Sequence, residues 1–556
     1  MPGADTATYH LRVPPSPADP TPSDAGASKG VRPGPGAVPA SKAEPAEKAA
    51  ADKAVAPRKA VAPQKAAAAK KAVAPKKAAG VKKAAGVTKA PGVTKTGAGR
   101  RAPAVKAHPA RPRAGAGDPV HDVLVVGGGP AGSACAYWLA DAGWDVVLVE
   151  KKRFPREKTC GDGLTPRSVR QLEDMGLADA LSGAHRYAGL RSCAYGMVIE
   201  MPWPAHPSFP SYGYVITRHD LDQLVADRAA KAGATVLQGN EAISPIPAGT
   251  GTVAGAGERG GLGGSAGPGA LPAVAGAVVR DKDDGGTREI RARYVVVADG
   301  ANSRFGRALG TVRDRSYPLG MALRGYYRSP RHDDAFIESH LDIRDASGQV
   351  VPGYGWIFPL GDGRVNVGVG LMSVEGRWKG MNTSRLMDEF VAFAPKTWGI
   401  SPDSACGPPT GGKLPMGLSV APRIGPNALC VGDAAGAINP FNGEGIAYGY
   451  ETGRLAAACL GRALNGAGPA ALDDYEARLE DAYGLYYLVA RDFVKLISHP
   501  ARMRACVQTG MHSPAIMKML LRIMANLLRP DEMGAAETAY RALASVARLV
   551  PVGSKA

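Results

Sequence analysis

Short runs of apolar residues alternate with Ala- and Leu-rich segments in the part of the chain that begins near residue 121. Residues 123–126 and 146–149 are apolar without interruption, as expected for strands that are buried on both faces. Between them, residues 133–142 have the composition of a helix, and Gly143 stands where a helix stop belongs. The pattern predicts a strand, a helix and a second strand in immediate succession.

The same alternation continues downstream. Residues 218–232 have the spacing of an amphipathic helix, and they precede a strand at 235–237. A hairpin is predicted for residues 278–290 around a turn at 284–286, followed by a separate buried strand at 294–298. Strands and helices in this order are typical of an α/β sheet with crossover helices.

The pattern changes in the middle of the chain. Residues 352–371 alternate on both sides of a Gly-Asp-Gly turn at 361–363, which predicts two antiparallel strands. Tyr354, Trp356 and Phe358 are two residues apart and therefore face the same side of their strand. Such aromatic residues are either part of a hydrophobic core or one wall of a pocket for a large apolar ligand.

The last part of the chain is predicted to be helical. Ser513 and Pro514 stand in the order of a helix cap and a first helical residue, and the helix is expected to continue to Arg529. Its polar residues form a single narrow stripe that consists of Lys518, Arg522, Asn526 and Arg529. At ~1.5 Å per residue this helix is too short to cross a bilayer, so it is either buried in protein or lies in a membrane interface.

Residues 1–117 differ from the rest of the chain in composition and charge. They consist largely of Ala, Pro, Lys and Gly, and they carry 22 Lys and Arg against 6 Asp and Glu, which is +16 of the chain's formal charge of +18. Too little apolar surface is available to offset chain entropy, so this basic tail is predicted to be disordered. Its charge suits non-specific binding to a polyanion, and a solvated spacer is the alternative.

Other compositional features bear on compartment. The Gly- and Ala-rich residues 247–276 are predicted to be a mobile surface insertion. The seven cysteines include no C-x-x-C pair, which argues against a zinc site or a disulfide framework and fits a reducing cytoplasm. No apolar run approaches the ~20 residues needed to span a bilayer. The sequence therefore predicts a cytoplasmic protein, with peripheral attachment at the inner face of the cell membrane as a further hypothesis.

Candidate chemistry begins at the first predicted turn. Gly127, Gly129 and Gly132 have G-x-G-x-x-G spacing between the first strand and the helix. Glycines at these positions allow a tight turn, close approach of a pyrophosphate and close packing of the helix on the strand. Glu150 ends the second strand and is placed to accept hydrogen bonds from a ribose, which favours a cofactor that contains adenosine diphosphate.

Two further loops combine glycines with polar residues. The loop after Glu150 is basic and then turns at Cys160-Gly161-Asp162-Gly163. Near the end of the α/β pattern, Asp433 follows a buried strand, and a glycine-rich loop leads into a helix that begins near Gly445. Free backbone N–H groups there can bind a phosphate or an electron-rich carbonyl, and the aspartate can accept hydrogen bonds from sugar hydroxyls.

Together these motifs resemble the geranylgeranyl reductases, a family within the para-hydroxybenzoate-hydroxylase-like FAD enzymes. The resemblance covers residues 118–457 and extends more loosely to Pro530. It is carried by VVGGGPAG with Glu150, and by KTCGDGLTPR, RHDLD, ADGANS, YGWIFPLGDGRVNVGVG and VGDAAGAINPFNGEGI.

The resemblance implies an α/β fold: a Rossmann-like FAD-binding domain, an interleaved antiparallel β-sheet substrate domain and a helical C-terminal region, preceded by the disordered N-terminal tail. We expect residues 118–311 and 423–460 to form the FAD-binding domain, 312–422 the substrate domain and 461–556 the helical region. No metal site is expected. The residues that the resemblance implies for FAD binding are Gly127, Gly129, Ala131, Gly132, Glu150, Lys151, Cys160, Gly161, Gly163, Arg218, Asp433, Gly443, Gly445 and Ile446.

The resemblance also implies a reaction. These enzymes saturate isolated C=C bonds of isoprenoid chains by hydride transfer from reduced flavin and protonation of the adjacent carbon. Tyr354, Trp356 and Phe358 are the expected wall for the chain, and the proton donor stays open among Cys160, Tyr354 and a flavin-bound water. A packing role is the alternative for Cys160. We expect a polyprenyl lipid or quinone as substrate, with menaquinone favoured, and NAD(P)H or a ferredoxin-like protein as electron donor.

Two other functions compete with this one. The YGWIFP segment is similar to the Trp-rich motif of flavin halogenases, and residues 432–435 resemble the corresponding loop of flavin monooxygenases. Those monooxygenases typically continue with a histidine where this chain has Gly436. A third hypothesis is a protein that tethers nucleic acid or membrane through its basic tail.

Overall fold

The computed structural model describes residues 119–249, 269–373, 382–529 and 534–549. The predicted disordered tail, residues 1–117, lies outside the described residues, as does most of the predicted insertion at 247–276. Within the described ranges, no helix is both long enough and apolar enough to cross a membrane.

The described residues form strands over most of the α/β and antiparallel regions. In chain order they are β1 (Val120–Val126), β2 (Val146–Glu150), β3 (Gly163–Leu164), β4 (His185–Tyr187), β5 (Gly189–Ala194), β6 (Met197–Pro202), β7 (Gly213–Val215), β8 (Thr235–Gln238), β9 (Asn240–Pro247), β10 (Val274–Asp281), β11 (Thr287–Val297), β12 (Val312–Arg313), β13 (Leu319–Arg328), β14 (Phe336–His340), β15 (Gly353–Pro359), β16 (Arg364–Ser373), β17 (Thr410–Pro415), β18 (Val420–Ala421) and β19 (Ala428–Cys430).

The α-helices are distributed between the sheets and the C-terminal region. They are α1 (Pro130–Asp141), α2 (Pro166–Asp174), α3 (Arg218–Lys231), α4 (Arg304–Ala308), α5 (Thr383–Phe393), α6 (Ile446–Arg462), α7 (Asp473–Leu479), α8 (Leu485–Ile497), α9 (Pro500–Met511), α10 (Pro514–Met524) and α11 (Ala535–Leu549).

The first sheet has the strand order β8-β2-β1-β11-β10-β9, and β19 also pairs with β11. The pairs β8–β2, β2–β1, β1–β11 and β11–β19 are parallel, whereas β10 pairs antiparallel with both β11 and β9. Val123 and Val125 pack into the core that contains α1 and α6, while Leu124 and Val126 pack into the core on the opposite face. Burial on both faces explains why β1 is apolar without interruption.

The second sheet has the order β17-β13-β16-β15-β14-β5-β6. Its pairs are antiparallel except β14–β5, which is parallel. β5 and β6 come from residues 189–202 and join strands from residues 312–422, so this sheet draws on both of the segments that the sequence had divided into two domains.

At strand β11 the structure differs from what the sequence predicted. A hairpin arm and a separate strand were expected at 288–290 and 294–298, but Thr287–Val297 is one continuous strand. Its beginning pairs antiparallel with β10, and its end pairs parallel with β1 and β19. Each part of the strand has a different partner, and no glycine or proline interrupts it.

The C-terminal end of helix α10 also differs from what the sequence predicted. Its N-terminus is as expected, because Ser513 accepts a hydrogen bond from the Ile516 amide, but the helix ends at Met524 rather than at Arg529. Asn526 adopts a φ of +53°, which stops the helix as an asparagine in the left-handed region commonly does. Of the two locations proposed for this helix, the structure shows packing within the protein, since Leu521 is buried against the second sheet.

Helices α1 and α6 approach each other at backbone distance. A Cβ atom on Gly453 would lie 2.4 Å from the carbonyl oxygen of Ala131, and one on Gly432 would lie 2.7 Å from the Ala131 Cβ. Small residues are therefore required where α6 and the turn before it meet α1. This contact brings the two glycine-bearing helix N-termini of the first sheet into one site.

Candidate active site

The first glycine loop has little room for side chains. Gly127 has a φ of +108°, and a Cβ there would lie 2.4 Å from the carbonyl oxygen of Ala298. A Cβ on Gly132 would lie 1.9 Å from the Gly127 carbonyl oxygen. Helix α1 begins after Gly129, which has no side chain to cap the helix, so the first N–H groups of α1 remain open to a ligand.

Glu150 is buried at the end of β2 and is positioned by backbone amides. Its Oε2 accepts a hydrogen bond of 2.9 Å from Gly128 N, and its Oε1 accepts one of 3.0 Å from Lys152 N. The guanidinium of Arg156 lies 3.4 Å from Oε2. Lys151 follows directly and is exposed. The carboxylate is thus oriented before any ligand is bound.

A buried ion-pair network supports this end of the site. Arg218 donates to both oxygens of Asp222, with Nε–Oδ1 and Nη2–Oδ2 distances of 2.6 and 2.7 Å. Arg156 Nη1 lies 2.9 Å from the same carboxylate. Burial lowers the pKa of Arg218, but the charge of Asp222 and the hydrogen bond to it, together with smaller contributions from neighbouring groups, raise the pKa well above its usual range. Arg156 was not singled out in the sequence, although it lies in the basic stretch after Glu150.

Asp162 holds the second loop in place. It is fully buried with a φ of +64°. Its Oδ1 accepts from the Arg218 backbone amide, and its Oδ2 accepts from Tyr326 Oη at 2.6 Å and Asn366 Nδ2 at 2.7 Å. Burial raises the pKa of Asp162 to about 6. The sequence showed this residue only as part of a glycine-bearing turn, because its partners come from distant strands.

The aromatic strand β15 is tied to that loop. Trp356 Nε1 donates to Asn366 Oδ1 at 2.9 Å, and Asn366 Nδ2 donates to the Cys160 carbonyl oxygen at 2.9 Å. A Cβ on either Gly161 or Gly163 would lie 3.1 Å from the ring of Phe358. The loop backbone therefore lies directly against the aromatic side chains.

The three aromatic residues lie in a row on one face of β15, as their alternation predicted. Ring centroids are 5.8 Å apart for Tyr354 and Trp356, and 6.3 Å apart for Trp356 and Phe358. Tyr354 Oη donates to the backbone oxygen of Asn442 at 2.7 Å. Burial raises the pKa of Tyr354 to about 12 and also raises the pKa of the Cys160 thiol, so both groups stay protonated at neutral pH.

The second glycine loop completes the site. Gly443 has a φ of +76°, and α6 begins at Ile446 after Gly445, so its first N–H groups also have no side-chain cap. A Cβ on Gly445 would lie 3.2 Å from Asp433 Oδ1. Burial raises the pKa of Asp433, against the lowering effect of Lys158 and Arg218. A sugar hydroxyl hydrogen-bonded to this carboxylate would offset the cost of burying its charge.

One continuous cavity of about 1470 Å³ joins these elements. It is lined by every residue that the sequence predicted for cofactor binding or catalysis except Gly132, which packs against Gly127. Drug-sized ligands occupy pockets of roughly 300–1,000 Å³. The cavity therefore has room for a dinucleotide cofactor and for part of a second ligand.

Beyond the aromatic row the cavity continues into an apolar chamber between the second sheet and helices α9 and α10. Its walls include Met201, Trp203 and Ile337 on the sheet side and Val507, Met517 and Leu520 on the helix side. No sequence motif indicated that these residues are parts of the site. The apolar surface of the helix at 514–524 was the available signal, but only packing shows which cavity it faces.

Comparisons with known proteins agree with this geometry. Residues 120–257 and 273–323 match the family described as FAD binding domain. The menaquinone reductase of Mycolicibacterium smegmatis is 38% identical over 411 residues, covering 74% of this chain and 93% of the relative. Digeranylgeranylglycerophospholipid reductase 1 of Methanopyrus kandleri is 30% identical over 391 residues, covering 68% of this chain and 90% of the relative.

Solved structures share the fold. A geranylgeranyl bacteriochlorophyll reductase-like protein from Thermoplasma acidophilum superimposes with a TM-score of 0.58 at 23% identity, covering 77% of this chain and 96% of the other. A flavin-dependent brominase has a TM-score of 0.56 at 18% identity, covering 77% and 100%. At these identities the likeness concerns the fold alone, and the halogenase alternative gains no support beyond it.

The chain belongs to the geranylgeranyl-reductase-like family of FAD-dependent oxidoreductases, enzymes that reduce C=C bonds of prenyl chains. The residues present fit FAD. Two uncapped helix N-termini offer N–H groups for anionic and carbonyl oxygens, and Glu150 offers a preoriented acceptor. The glycines of both loops have no side chains, so a cofactor can lie directly against the loop backbone.

Proposed function

We propose that this enzyme saturates a C=C bond in the polyprenyl side chain of menaquinone. The observation that carries the proposal is the continuity of one cavity from the glycine loops, past the aromatic row, into the apolar chamber. A polyprenyl chain is long, uncharged and flexible, and an apolar chamber of this kind gains free energy by removing it from water. The 38% identity to a menaquinone reductase over most of both chains supports the choice of quinone.

We assign the cofactor contacts as follows. The N–H groups at the start of α1 bind the pyrophosphate of FAD, and Glu150 accepts from the adenosine ribose. Asp433 accepts from the ribityl hydroxyls, and the amides of Gly445 and Ile446 donate to the flavin ring carbonyl. Reduced FAD, when bound, supplies a hydride to the alkene.

In this proposal the aromatic row positions the substrate. An isolated alkene offers no polar group for recognition, so its position is set by packing along the whole chain. Tyr354, Trp356 and Phe358 form one wall, and the hydrogen bond from Trp356 to Asn366 keeps the indole from rotating. The same packing excludes water from the reacting carbons.

A chamber-filling substitution tests the path of the substrate. Val507→Trp places an indole in the apolar chamber. We expect it to retain FAD but to lose roughly 100-fold in activity on a long prenyl chain, because the chain no longer fits. The matched control is Val198→Trp, at a β6 side chain that is 60% exposed. Equal activity of the two variants would contradict the proposed path.

The substrate itself is identified with the reduced holoenzyme. Menaquinone and a geranylgeranyl glycerophospholipid are supplied separately, and mass spectrometry follows the gain of two hydrogen atoms per saturated bond. We expect menaquinone to be reduced and the lipid to remain unchanged. Reduction of the lipid alone would show that the quinone assignment is wrong.

The electrons come from outside this chain in our proposal. The described residues contain one strand–glycine loop–helix unit of the dinucleotide-binding type, and its cavity is assigned to FAD. NAD(P)H or a ferredoxin-like protein is the proposed donor. Anaerobic mixing of the oxidised holoenzyme with each donor decides between them, since loss of the flavin absorbance reports reduction.

We further propose that α9 lies against the membrane that holds the quinone. Met503 lines the cavity between the exposed residues Arg502 and Arg504, and Leu496 of the preceding helix is 42% exposed. Exposed basic residues next to a residue of an apolar cavity suit a surface of anionic lipid. Arg502→Glu with Arg504→Glu should weaken binding to anionic vesicles, whereas Lys231→Glu with Arg315→Glu, also exposed, should not.

A further inference from the structure

A buried carboxyl group in the cavity has one oxygen without a partner. Glu444 lies in the second glycine loop, directly before Gly445, and lines the cavity. Its Oε1 is 2.5 Å from Thr165 Oγ1 and 3.1 Å from Ser168 Oγ. Its Oε2 is buried and has no hydrogen-bond partner within the described parts of the chain. An ionised carboxylate is costly in such a position, whereas a protonated one is tolerated.

The charged side chains next to Glu444 form an ion pair with each other, so within the part of the chain that the structure describes Glu444 has no cation of its own to pair with. On α2, Arg167 is paired with Glu451 of α6, with an Nε–Oε1 distance of 2.6 Å. Arg167 lowers the pKa of Glu444 and Glu451 raises it, but burial is the largest influence and raises it to about 7. Among the described residues, the groups whose pKa Glu444 influences include the hydroxyls of Tyr187 on β4, Tyr354 on β15 and Tyr448 on α6.

Four other acidic groups that line the cavity are less suited to give up a proton. Both oxygens of Asp162 accept hydrogen bonds, and both oxygens of Glu150 accept from backbone amides. The Tyr354 hydroxyl proton is donated to a backbone oxygen, and its pKa of about 12 makes it a weak acid. Burial keeps the thiol of Cys160 a weak acid as well.

Thr165 connects Glu444 to the cavity. This residue also lines the cavity, and it caps α2 by accepting from Ser168 N. A distance of 2.5 Å between Oγ1 and Glu444 Oε1 is that of a strong O–H···O hydrogen bond, which the threonine hydroxyl donates. When the carboxyl is protonated on Oε1, it donates to Thr165 Oγ1 instead, and the threonine hydrogen is free to turn toward the cavity. A hydroxyl in this position can receive a proton on one side while it donates its own on the other.

We propose that Glu444 stores the proton consumed by alkene saturation and that Thr165 delivers it to the substrate. The assignment rests on the proposed prenyl reduction. The Glu444 O–H bond breaks as Thr165 Oγ1 takes that proton, and the Thr165 O–H bond breaks as its proton forms a C–H bond with the alkene. The adjacent carbon receives the hydride that reduced FAD supplies, so the alkene is reduced and the flavin oxidised. Glu444 is left as a carboxylate and regains a proton from solvent.

Substitutions at the two residues test the assignment. Glu444→Gln keeps the shape but holds no transferable proton, and Thr165→Val removes the hydroxyl. We expect both to retain FAD and menaquinone binding and to lose roughly 100-fold in turnover. Thr165→Ser keeps the hydroxyl and should stay within about tenfold of the wild type. Glu289→Gln, at an exposed hairpin position, is the control. Turnover of Glu444→Gln within about threefold of the wild type would overturn the proposal.

The pH profile provides a second readout. The wild-type rate should fall as pH rises through about 7, because the carboxyl must be protonated to act, and Glu444→Gln should lack this limb. A wild-type enzyme that fails to reduce any prenyl substrate would disprove the proposed function rather than this assignment.

Infrared spectroscopy tests the protonation of Glu444 even if the enzyme reduces no prenyl substrate. In protein without substrate, the C=O absorption of protonated carboxyls should persist to near-neutral pH in the wild type and be weaker in Glu444→Gln by the contribution of one carboxyl. Identical spectra for the two proteins at pH 6 would rule Glu444 out as a proton store.

Discussion

Glu150 shows how much of the site is organised at the scale of single residues. Both of its oxygens are held by backbone amides from the turns at Gly128 and Lys152, so its orientation does not depend on a ligand. Such preorganisation would lower the entropic cost of binding the ribose that we assign to this residue. It also ties the side chain to the fold of the glycine loop, since Gly128 belongs to that loop.

We expect Glu150→Arg to abolish FAD retention, because it replaces a hydrogen-bond acceptor with a second cation beside Arg156. Glu150→Gln keeps the shape and should weaken FAD binding by about tenfold, which is ~1.4 kcal/mol. The measurement is flavin absorbance per protein after gel filtration. Glu289→Arg, at an exposed site, is the charge-matched control. A Glu150→Arg protein that stays yellow would contradict the assignment.

The raised pKa of Glu444 leads to a prediction of how the stability of the protein depends on pH. Its pKa in the folded protein is about 7, above the ordinary 4.5, so its contribution to stability is present at low pH and lost as pH rises through 7. Between pH 4.5 and pH 8 the wild type should therefore lose up to about 3 kcal/mol of unfolding free energy relative to Glu444→Gln. Urea unfolding of both proteins across this range measures the difference. Parallel curves would show that the carboxyl titrates normally.

At the scale of elements, the contact between α1 and α6 has the strictest geometry. Two glycines of α6 provide a matched pair. A Cβ on Gly453 would lie 2.4 Å from the Ala131 carbonyl oxygen, whereas one on Gly461 would lie 3.7 Å from its nearest neighbour, Trp144 Nε1. The first contact involves backbone that cannot move without shifting α1, and the second is ordinary van der Waals contact.

We expect Gly453→Ala to lower the free energy of unfolding by about 2–3 kcal/mol and to weaken FAD binding, because α1 would be displaced from the site. Gly461→Ala should leave FAD binding unchanged and raise stability by about 0.5–1 kcal/mol through helix propensity. Thermal unfolding and flavin titration of both variants measure these effects. Equal destabilisation by the two would mean that the helix contact is less strict than its geometry indicates.

Two secondary-structure elements differ from what their sequence patterns predicted. The apolar run at 294–297 and the hairpin at 278–290 were both recognised, but the continuous strand β11 that joins them was not. A sequence pattern does not record that one strand can change partners along its length. Likewise, the apolar pattern at 513–529 gave no sign that Asn526 would end α10 early.

At the scale of the whole molecule, most of the net charge lies in a different segment of the sequence from the motifs that predict the site. Residues 1–117 hold 22 of the basic residues, whereas the remainder of the chain is nearly neutral. Among the described residues, those that line the cavity lie between Val126 and Ala525.

Deletion of residues 1–117 should leave FAD content and prenyl reduction within about twofold of the full-length enzyme. Binding to DNA or to other polyanions should be lost, and in the full-length protein it should weaken steeply with salt. Flavin absorbance, turnover and salt-dependent binding measure these effects. Loss of flavin on deletion would point to a direct role of the segment in the enzyme.

The sequence by itself determined the features that depend on near neighbours. The glycine loop, Glu150 at the end of its strand, the aromatic row and the second glycine loop were all visible as patterns within a few residues. Spacing decides which way such side chains face, and local backbone geometry decides where glycine is required. The motifs also sufficed to indicate the family, since their combination is rarer than any one of them.

Only the tertiary structure decided what these features face. The Thr165–Glu444 pair joins residues 279 positions apart, and Asp162 takes its partners from strands more than 160 residues away. The apolar chamber forms where α10 packs on the second sheet. A long-range contact leaves no periodic trace in a sequence, because many apolar segments satisfy the same pattern. Burial, which sets the acidity of Glu444, exists only once the chain has folded around it.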